Sequence, residues 1–354
     1  MRVQAERLTG LLIDMLARAG ADPEHARICA EHLVGASLRG HDSHGVGMAS
    51  SYLRWIAEGR MFPNRHAKVV RDNLAVLVVD GQFGLGQVIA GEAMELGVAR
   101  ARQMGVACVA LRNACHIGRI GAYGEQCAEA GLISMHYVNV VGHPPTVAPF
   151  GGGEPRMITD PYCCCIPRAD GRHITVDMAT SVVSAGKLRI AWMTGAPAPP
   201  NALMDGLGQP TTDPAAFFTG DPPGFLLPFG GHKGGGLQVL CGLLGGALAG
   251  HWTTQPLSDR NYGATVNNML SIIIDPDAFG DRAEYEAEAG AMIDYIRGAQ
   301  PADGFDRVQA PGDPERASMA ARLVDGVPID DNTWRELAEA GAGLGIEVAG
   351  FAED

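Results

Sequence analysis

Apolar residues near both ends of the chain recur at helical spacing. Between residues 8 and 16 they fall three or four apart, which is the spacing of one face of an amphipathic helix. Residues 22–24 read Asp-Pro-Glu, an N-cap acid, a first-turn proline and an early glutamate. They predict a second helix that extends to about Arg39. Periodic apolar positions predict further helices over 282–298 and 331–341.

The middle of the chain changes to the pattern of strands. A helix predicted over 86–105 separates the first two strands, and this alternation of strand and helix is typical of an α/β domain. Residues 236–250 resemble a buried helix, whereas the proline- and glycine-rich residues 193–228 predict a long loop. The predicted strands are 74–80, 106–112, 132–140, 163–167, 173–178 and 269–275.

Composition narrows the class of protein. The 354 residues suffice for two domains, 46% of them are apolar, and the net charge of −13 disfavours binding to nucleic acid. The chain starts without the apolar core of a secretory signal and contains no run of about 20 apolar residues that would span a membrane, so a cytoplasmic protein is expected. The eight cysteines form no C-x-x-C pair, which favours reduced thiols in buried strands.

The stretch RGHDSHGVGMASSY (39–52) concentrates polar chemistry beside glycines. His41 and His44 lack the spacing of the H-E-x-x-H zinc motif, and Ser43 lacks the G-x-S-x-G context of an activated serine. An acid–base histidine fits better, because imidazole titrates near neutral pH. A metal-dependent hydrolase that uses His41 and His44 remains the alternative.

Two glycine-rich stretches bear on cofactor binding. DGQFGLGQ (80–87) follows a strand, but Ile89 occupies the position of the third glycine of a dinucleotide fingerprint, so an ordinary Rossmann fold is not supported. FGGHKGGG (229–236) is no Walker A loop, yet its glycines and Lys233 suit an anion at a helix start. A glycine-rich turn with a surface lysine explains it equally well.

Two further polar groups follow predicted strands. Asp177, in TVDMATS (175–181), either lies where α/β proteins collect ligands or caps the next helix. His116, in NACHIGRIGAYGEQ (113–126), follows a strand among glycines, where catalytic groups are common. A lone histidine is usually structural, so this position by itself carries little weight.

Together these motifs resemble the type-2 malate/L-lactate dehydrogenase family, which also includes sulfolactate and ureidoglycolate dehydrogenases and diketogulonate and piperideine-2-carboxylate reductases. The matching segments follow the order of the family along most of the chain. They are DSHGV (42–46), DGQFGLGQ (80–87), RNACHIGRIGAYG (112–124), GGGEPRMITDP (151–161), VDMATSVVSAGK (176–187) and GGHKGGGL (230–237).

The resemblance implies a non-Rossmann α/β fold that uses NAD or NADP. It implies a mixed-sheet α/β domain (71–280) for cofactor and substrate and a helical domain built from both chain ends (1–70 with 281–354). It also implies a homodimer that acts on a small-molecule substrate, a 2-oxo acid or a related ketone or cyclic imine.

The resemblance further assigns roles to residues. His44 would be the proton donor, Ser43 and Asp177 would orient and polarise it, and His116 would line the same site. Substrate contacts are expected from Met48, Tyr52 and Arg119. Cofactor contacts are expected from Asn139, Thr175, Val176, Asp177, Met178, Ala179, Thr180, Ser181, His232, Lys233, Gly312 and Asp313.

Two positions depart from the family pattern. Met48 replaces an arginine that grips the substrate carboxylate, and a thioether cannot make that bidentate contact. Either another cation (Arg39, Arg54 or Arg119) takes the carboxylate, or substrate choice has changed, or the chain is an inactive relative that serves as a binding protein. Asp160 stands where an asparagine is usual, which adds a negative charge near that turn.

Overall fold

The structure is a computed structural model that describes residues 1–256 and 262–351. Its helices are α1 (Ala5–Arg18), α2 (Pro23–Leu38), α3 (Ala49–Ala57), α4 (Gly86–Met104), α5 (Gly121–Glu129), α6 (Ala185–Thr194), α7 (Ala215–Phe218), α8 (His232–Cys241), α9 (Arg282–Arg297), α10 (Asp313–Asp325) and α11 (Asp331–Gly343). Its strands are β1 (Arg2–Val3), β2 (Lys68–Asn73), β3 (Val76–Asp80), β4 (Val106–Cys115), β5 (Ile133–Val141), β6 (Tyr162–Ile166), β7 (Ile174–Met178), β8 (Leu203–Met204), β9 (Pro210–Thr211), β10 (Phe225–Leu226), β11 (Val266–Ile274) and β12 (Val327–Pro328).

A seven-stranded mixed sheet forms the centre of the molecule, with strand order β2-β3-β4-β11-β5-β6-β7. Strands β3 and β4 are parallel, and the other neighbouring pairs are antiparallel. The late strand β11 inserts between β4 and β5. The predicted mixed-sheet, non-Rossmann α/β class is therefore confirmed.

The sheet is built from β-branched and small apolar residues that alternate between its faces. In β6, Cys163 and Cys165 are fully buried, while Cys164 on the opposite face is half-buried. All eight cysteines are free thiols, but Cys29, Cys127 and Cys241 lie in helices and not in the expected strands. Helix α4 ends at Gly105, whose φ of +79° is the left-handed conformation that glycine adopts without strain.

One hydrophobic core joins the two ends of the chain. Helices α1, α2 and α3 bury their apolar faces with Leu337 of α11, and β1 pairs with β12. A second core lies between the sheet and helices α4 and α5. The predicted boundary at residue 70 falls inside β2. The prediction places α9 in the terminal helical domain. Its first residue, Arg282, contacts the α/β domain instead, because the guanidinium donates to Gly131 O, between α5 and β5, at 2.7 Å.

The pattern analysis missed several elements. Helices α5, α6 and α10 contain glycines or few apolar residues and gave little helical period, whereas α3 is amphipathic and was overlooked. The predicted loop over 193–228 contains α7 and a small sheet of strand order β10-β8-β9. The predicted helix over 236–250 begins earlier, at His232, and continues as a π-helix over Gly242–Gly250.

Candidate active site

His44 lies in a tight double turn between α2 and α3. Two consecutive 3₁₀ turns form this segment and meet at Gly45. A Cβ on Gly45 would lie 2.0 Å from Ser37 Oγ, and that oxygen accepts a hydrogen bond from Val46 N–H at 3.2 Å. The glycine thus lets the turn close against α2 and fixes the backbone that carries His44.

Ser43 and Asp177 lie at the same site as His44. Ser43 Oγ is 2.9 Å from His44 Nδ1. The first turn of α6 packs against this serine, because a Cβ on Gly186 would lie 2.2 Å from Ser43 Cβ. All three side chains line a cavity of about 220 Å³, together with Lys187. The structure therefore brings together groups that are more than 130 residues apart in the chain.

The Asp177 carboxylate is held from two sides. Gly121 N–H, at the start of α5, donates to Asp177 Oδ2 at 2.9 Å, and Arg119 Nε lies 3.5 Å from the same oxygen. Arg119 is 3% exposed and donates to both oxygens of Glu125, at 3.0 and 2.6 Å. Asp177 does not cap the next helix, because Ser184 takes that position in α6.

The electrostatics of His44 differ from the sequence expectation of a histidine that titrates near neutral pH. Burial lowers the pKa of His44 to about 4, and the charge of Asp177 opposes that shift. At neutral pH the imidazole is therefore uncharged before a ligand adds its own field. The direction expected for the effect of Asp177 is correct, but desolvation is the larger cause.

His116 directly follows β4 and stacks on His44, with ring centroids 5.4 Å apart and an interplanar angle of 20°. Its Nδ1 is 2.6 Å from Tyr52 Oη. Gln87 Nε2 donates to that oxygen at 2.7 Å, and the tyrosine hydroxyl also donates to His116 O at 3.3 Å. Burial and the neighbouring His44 lower the pKa of His116 well below its ordinary value.

Tyr52 does not occupy the position expected of a substrate contact. Its side chain is fully buried and lies behind His116, as the hydrogen bond to that ring shows. Tyr52 instead belongs to the hydrophobic core formed by α1, α2 and α3. Tyr52 influences the site through its hydrogen bond to His116.

A second, larger cavity of about 470 Å³ adjoins His44 on the side of Met48. Ser43, His44, Thr159 and Ser184 line both cavities. The larger cavity is mainly apolar. Among its lining residues, Arg189 provides the positively charged side chain. Its apolar wall is formed by Val46, Met48, Pro144, Ile158, Ile190, Met193, Phe218, Pro328 and Ile329.

Part of the predicted cofactor segment lies on the smaller cavity. Met178, Ala179 and Ser181 line it with Asp177. The other members of the segment serve the fold. Thr175 is buried against Cys165 at 3.3 Å, and Thr180 Oγ1 donates to Thr159 O at 2.6 Å. Val176 pairs with Cys164 in the sheet.

The start of α8 has the shape expected for an anion site next to this segment. Phe229 N–H donates to Thr180 O at 3.0 Å, and a Cβ on Gly234 would lie 2.3 Å from Phe229 O. His232 and Lys233 are exposed in the first turn of the helix. The N–H groups of Lys233, Gly234 and Gly235 already donate within the turn. The helix N-terminus and the Lys233 ammonium are suitable partners for a phosphate, so these residues fit a dinucleotide cofactor.

The remaining predicted cofactor residues lie apart from His44. Gly312 and Asp313 begin α10, where Asp313 accepts from Arg297 and Arg316, both at 2.7 Å. Asn139 is buried, accepts from Asn268 at 3.0 Å and borders a separate cavity of about 610 Å³. The structure therefore does not place Asn139 on either cavity that His44 lines.

The metal-site alternative is not favoured by the geometry. His41 Nε2 lies 3.5 Å from Glu315 Oε1, and His44 bonds to Ser43. Within residues 1–256 and 262–351, no group of three potential metal ligands contains both His41 and His44.

In the same part of the chain no helix combines the length and hydropathy of a membrane span.

Sequence reasoning missed residues on the Met48 cavity. His143 and Thr146 lie in the loop after β5, and Arg189 lies on α6. Arg189 could have been found from its position two residues after Lys187, in the family segment. It was missed because the helix that carries both residues was not predicted. His143 follows a strand among prolines and carried no motif.

Comparison with known proteins agrees with this geometry. The sequence profile of the family described as malate/L-lactate dehydrogenase matches residues 3–338. The chain is 41% identical to hydroxycarboxylate dehydrogenase B of Escherichia coli K12 over 346 residues, which is 98% of this chain and 95% of the relative.

Solved structures show the same fold. Sulfolactate dehydrogenase from Methanocaldococcus jannaschii superposes with a TM-score of 0.88 at 32% identity and covers 100% of both chains. Δ1-Piperideine-2-carboxylate reductase from Pseudomonas syringae superposes with a TM-score of 0.82 at 29% identity, over 96% of this chain and 99% of the reductase. The chain therefore belongs to the malate/L-lactate dehydrogenase family of NAD(P)-dependent oxidoreductases.

Proposed function

We propose that this enzyme uses NADH or NADPH to reduce the C=O of a 2-oxo acid, or the C=O or C=N of a related ketone or cyclic imine, with His44 as proton donor. One observation carries the proposal. The half-buried imidazole of His44 lies 2.9 Å from Ser43 Oγ and lines the same cavity as the Asp177 carboxylate, at the point where two cavities meet. A reacting carbon at that junction would contact the proton donor and the cofactor together.

The bound nicotinamide supplies the hydride, and the protein manages the negative charge that develops on the substrate oxygen. A donor held beside that oxygen stabilises the transition state more than the ground state. His44 enters the reaction uncharged, because burial lowers its pKa to about 4. The Asp177 carboxylate and an anionic substrate both favour the protonated ring, so we expect proton uptake when substrate binds.

The smaller cavity suits the cofactor and the larger one the substrate. The smaller cavity is next to Asp177, Ala179 and Ser181, close to the anion-suited start of α8. The larger one offers an apolar wall around Met48. This division supports a substrate with an apolar side chain rather than a second carboxylate at that position.

Arg189 is the candidate that replaces the missing family arginine. It lines the Met48 cavity and pairs with Glu336 at 3.1 Å, and both side chains are partly exposed. If a substrate carboxylate displaced Glu336 from this ion pair, the charge of Arg189 would remain balanced. Arg119 suits that role less well, because Glu125 already binds it in a bidentate pair.

A substrate screen tests the proposal. Purified enzyme is incubated with NADH or NADPH and with 2-oxo acids of increasing side-chain length, cyclic imines and neutral ketones, and loss of reduced-cofactor absorbance is recorded. Turnover of at least one class is expected, as is a higher melting temperature with the preferred cofactor. Cofactor binding without any turnover would support the inactive-relative alternative and overturn the proposal.

We also propose that the enzyme is a homodimer. The outer face of α8 and the π-helix exposes Val239, Leu240, Leu243 and Leu248, a cluster of apolar side chains that a second copy would cover. Light scattering after gel filtration is expected to give twice the chain mass. Replacement of Leu243 by aspartate would then shift the protein toward monomer.

A further inference from the structure

A group of potential metal ligands lies outside the active site, where α2, α4 and the segment 62–67 meet. It consists of His25 near the start of α2, His66 just before β2, and Glu92 on α4. One donor atom from each lies within 4.8 Å of the other two. The rings of His25 and His66 meet edge to face at 4.7 Å, and His66 Nδ1 is 2.5 Å from Glu92 Oε1.

The segment that carries His66 is anchored by hydrogen bonds on both sides. Asn64 accepts from Asp22 N–H at 2.7 Å and donates to Gly20 O at 2.9 Å. Gln82 Nε2 donates to His66 O at 2.8 Å. The backbone of His66 is therefore held in place, while its exposed ring can still adjust toward an ion.

The buried histidine is oriented for metal binding. His25 is 4% exposed, and its Nδ1 is 2.8 Å from Pro63 O. A carbonyl oxygen can only accept, so the proton resides on Nδ1 and the lone pair on Nε2. A backbone carbonyl bonded to the second ring nitrogen is the usual support of a metal-ligating histidine. Glu92 is likewise supported, since its Oε2 accepts from Ala67 N–H at 2.6 Å.

We propose that His25, His66 and Glu92 form a zinc site that ties the segment 62–67 to α2 and α4. Two imidazoles and one carboxylate match the ligand preference of Zn²⁺, whereas Mg²⁺ and Ca²⁺ prefer oxygen ligands alone. Three protein ligands leave the fourth position to water. A small movement of the exposed His66 ring brings the donors within coordination distance. The site bridges the terminal helical core and the sheet layer.

Binding displaces the contact between His66 and Glu92 and competes with protons for the imidazole nitrogens. Zinc affinity is therefore expected to fall as the pH is lowered. Because only the folded chain brings the three residues together, zinc should also raise the melting temperature. Neither effect requires substrate or nicotinamide.

Titration calorimetry with ZnCl₂ alone tests the site on the full chain after chelation and gel filtration. Wild type is expected to bind one Zn²⁺ with an affinity that His66→Gln and Glu92→Gln each weaken tenfold or more. Both substitutions preserve side-chain length, and glutamine at position 92 can still accept from Ala67. Melting curves should show that zinc stabilises wild type and not the two variants.

His251→Asn provides the matched control, because His251 is an exposed histidine outside this cluster and its loss should leave zinc affinity unchanged. Equal zinc binding by wild type and His66→Gln would overturn the proposal, since the ion would then be held by other histidines or thiols. Absence of saturable binding by wild type at micromolar free zinc would overturn it as well.

Discussion

The two sides of His44 contrast in chemistry. On the Asp177 side, charged groups hold one another: Arg119 binds Glu125 and lies 3.5 Å from the Asp177 carboxylate. On the Met48 side the cavity is about twice as large and mainly apolar. Under the proposed function, the charged side would provide what proton and hydride transfer need. The apolar side around Met48 is where we expect substrate choice to differ from that of relatives.

Removal of the His44 side chain should have the largest effect on turnover, because His44 lines both cavities. His44→Ala is expected to lower kcat by about 10²–10⁴-fold, the usual contribution of a general acid. Cofactor affinity should change little, since the ring lies at the junction of the cavities. Stopped-flow turnover and cofactor fluorescence titration measure the two quantities. Unchanged kcat would remove His44 from the mechanism.

A buried acid directly after Thr159, a residue that lines both cavities, destabilises the fold when it ionises. Burial raises the pKa of Asp160 from 3.8 to about 7, and its Oδ2 has no hydrogen-bond partner. A folded-state pKa above the unfolded value means that stability is complete at low pH and falls between about pH 4 and 7. The loss is at most about 4 kcal/mol.

Asp160→Asn should abolish that pH dependence and make the protein more stable than wild type at pH 8. Urea unfolding of both proteins at pH 5 and pH 8 measures the difference. Parallel losses of stability in the two proteins would show that another group titrates.

A positive charge on the apolar side tests the contrast directly. Met48→Arg is expected to improve kcat/KM for a small 2-oxo acid roughly tenfold to hundredfold, because a hydrogen bond to a charged group contributes about 1.5–3 kcal/mol. Met48→Leu, which preserves size without charge, serves as control. If neither variant gains on any 2-oxo acid, the surrounding cavity has diverged as well.

The smallest expected effect concerns the support of His116. Tyr52→Phe removes the hydrogen bond to His116 Nδ1 and should lower kcat about fivefold, in line with about 1 kcal/mol for a neutral hydrogen bond. KM should remain close to wild type, because Tyr52 is buried behind the ring. Nitrogen NMR of the histidines should show a changed environment for His116 Nδ1, the atom 2.6 Å from the Tyr52 hydroxyl. An altered KM with unchanged kcat would instead indicate substrate contact.

Several elements were predictable from sequence. The helix expected over 86–105 is Gly86–Met104, and the strand expected over 269–275 overlaps Val266–Ile274. Helix α6 was missed, and with it Arg189, because its polar and small residues gave no apolar stripe. Tyr52 was misplaced for a different reason. Its helix follows a turn whose geometry the residue pattern does not determine.

The sequence by itself determined the alternation of helix and strand, the absence of a dinucleotide fingerprint and, through short motifs, the family, and it predicted an acid–base role for His44. The tertiary structure decided which side of that histidine each group occupies. Strand β11 inserts between β4 and β5, and the last helices return to the first. Such contacts join residues hundreds of positions apart, and they cannot be predicted from the local periodicity of apolar residues. Burial, which follows from the same contacts, shifts the pKa of His44 away from the neutral range that imidazole has in water.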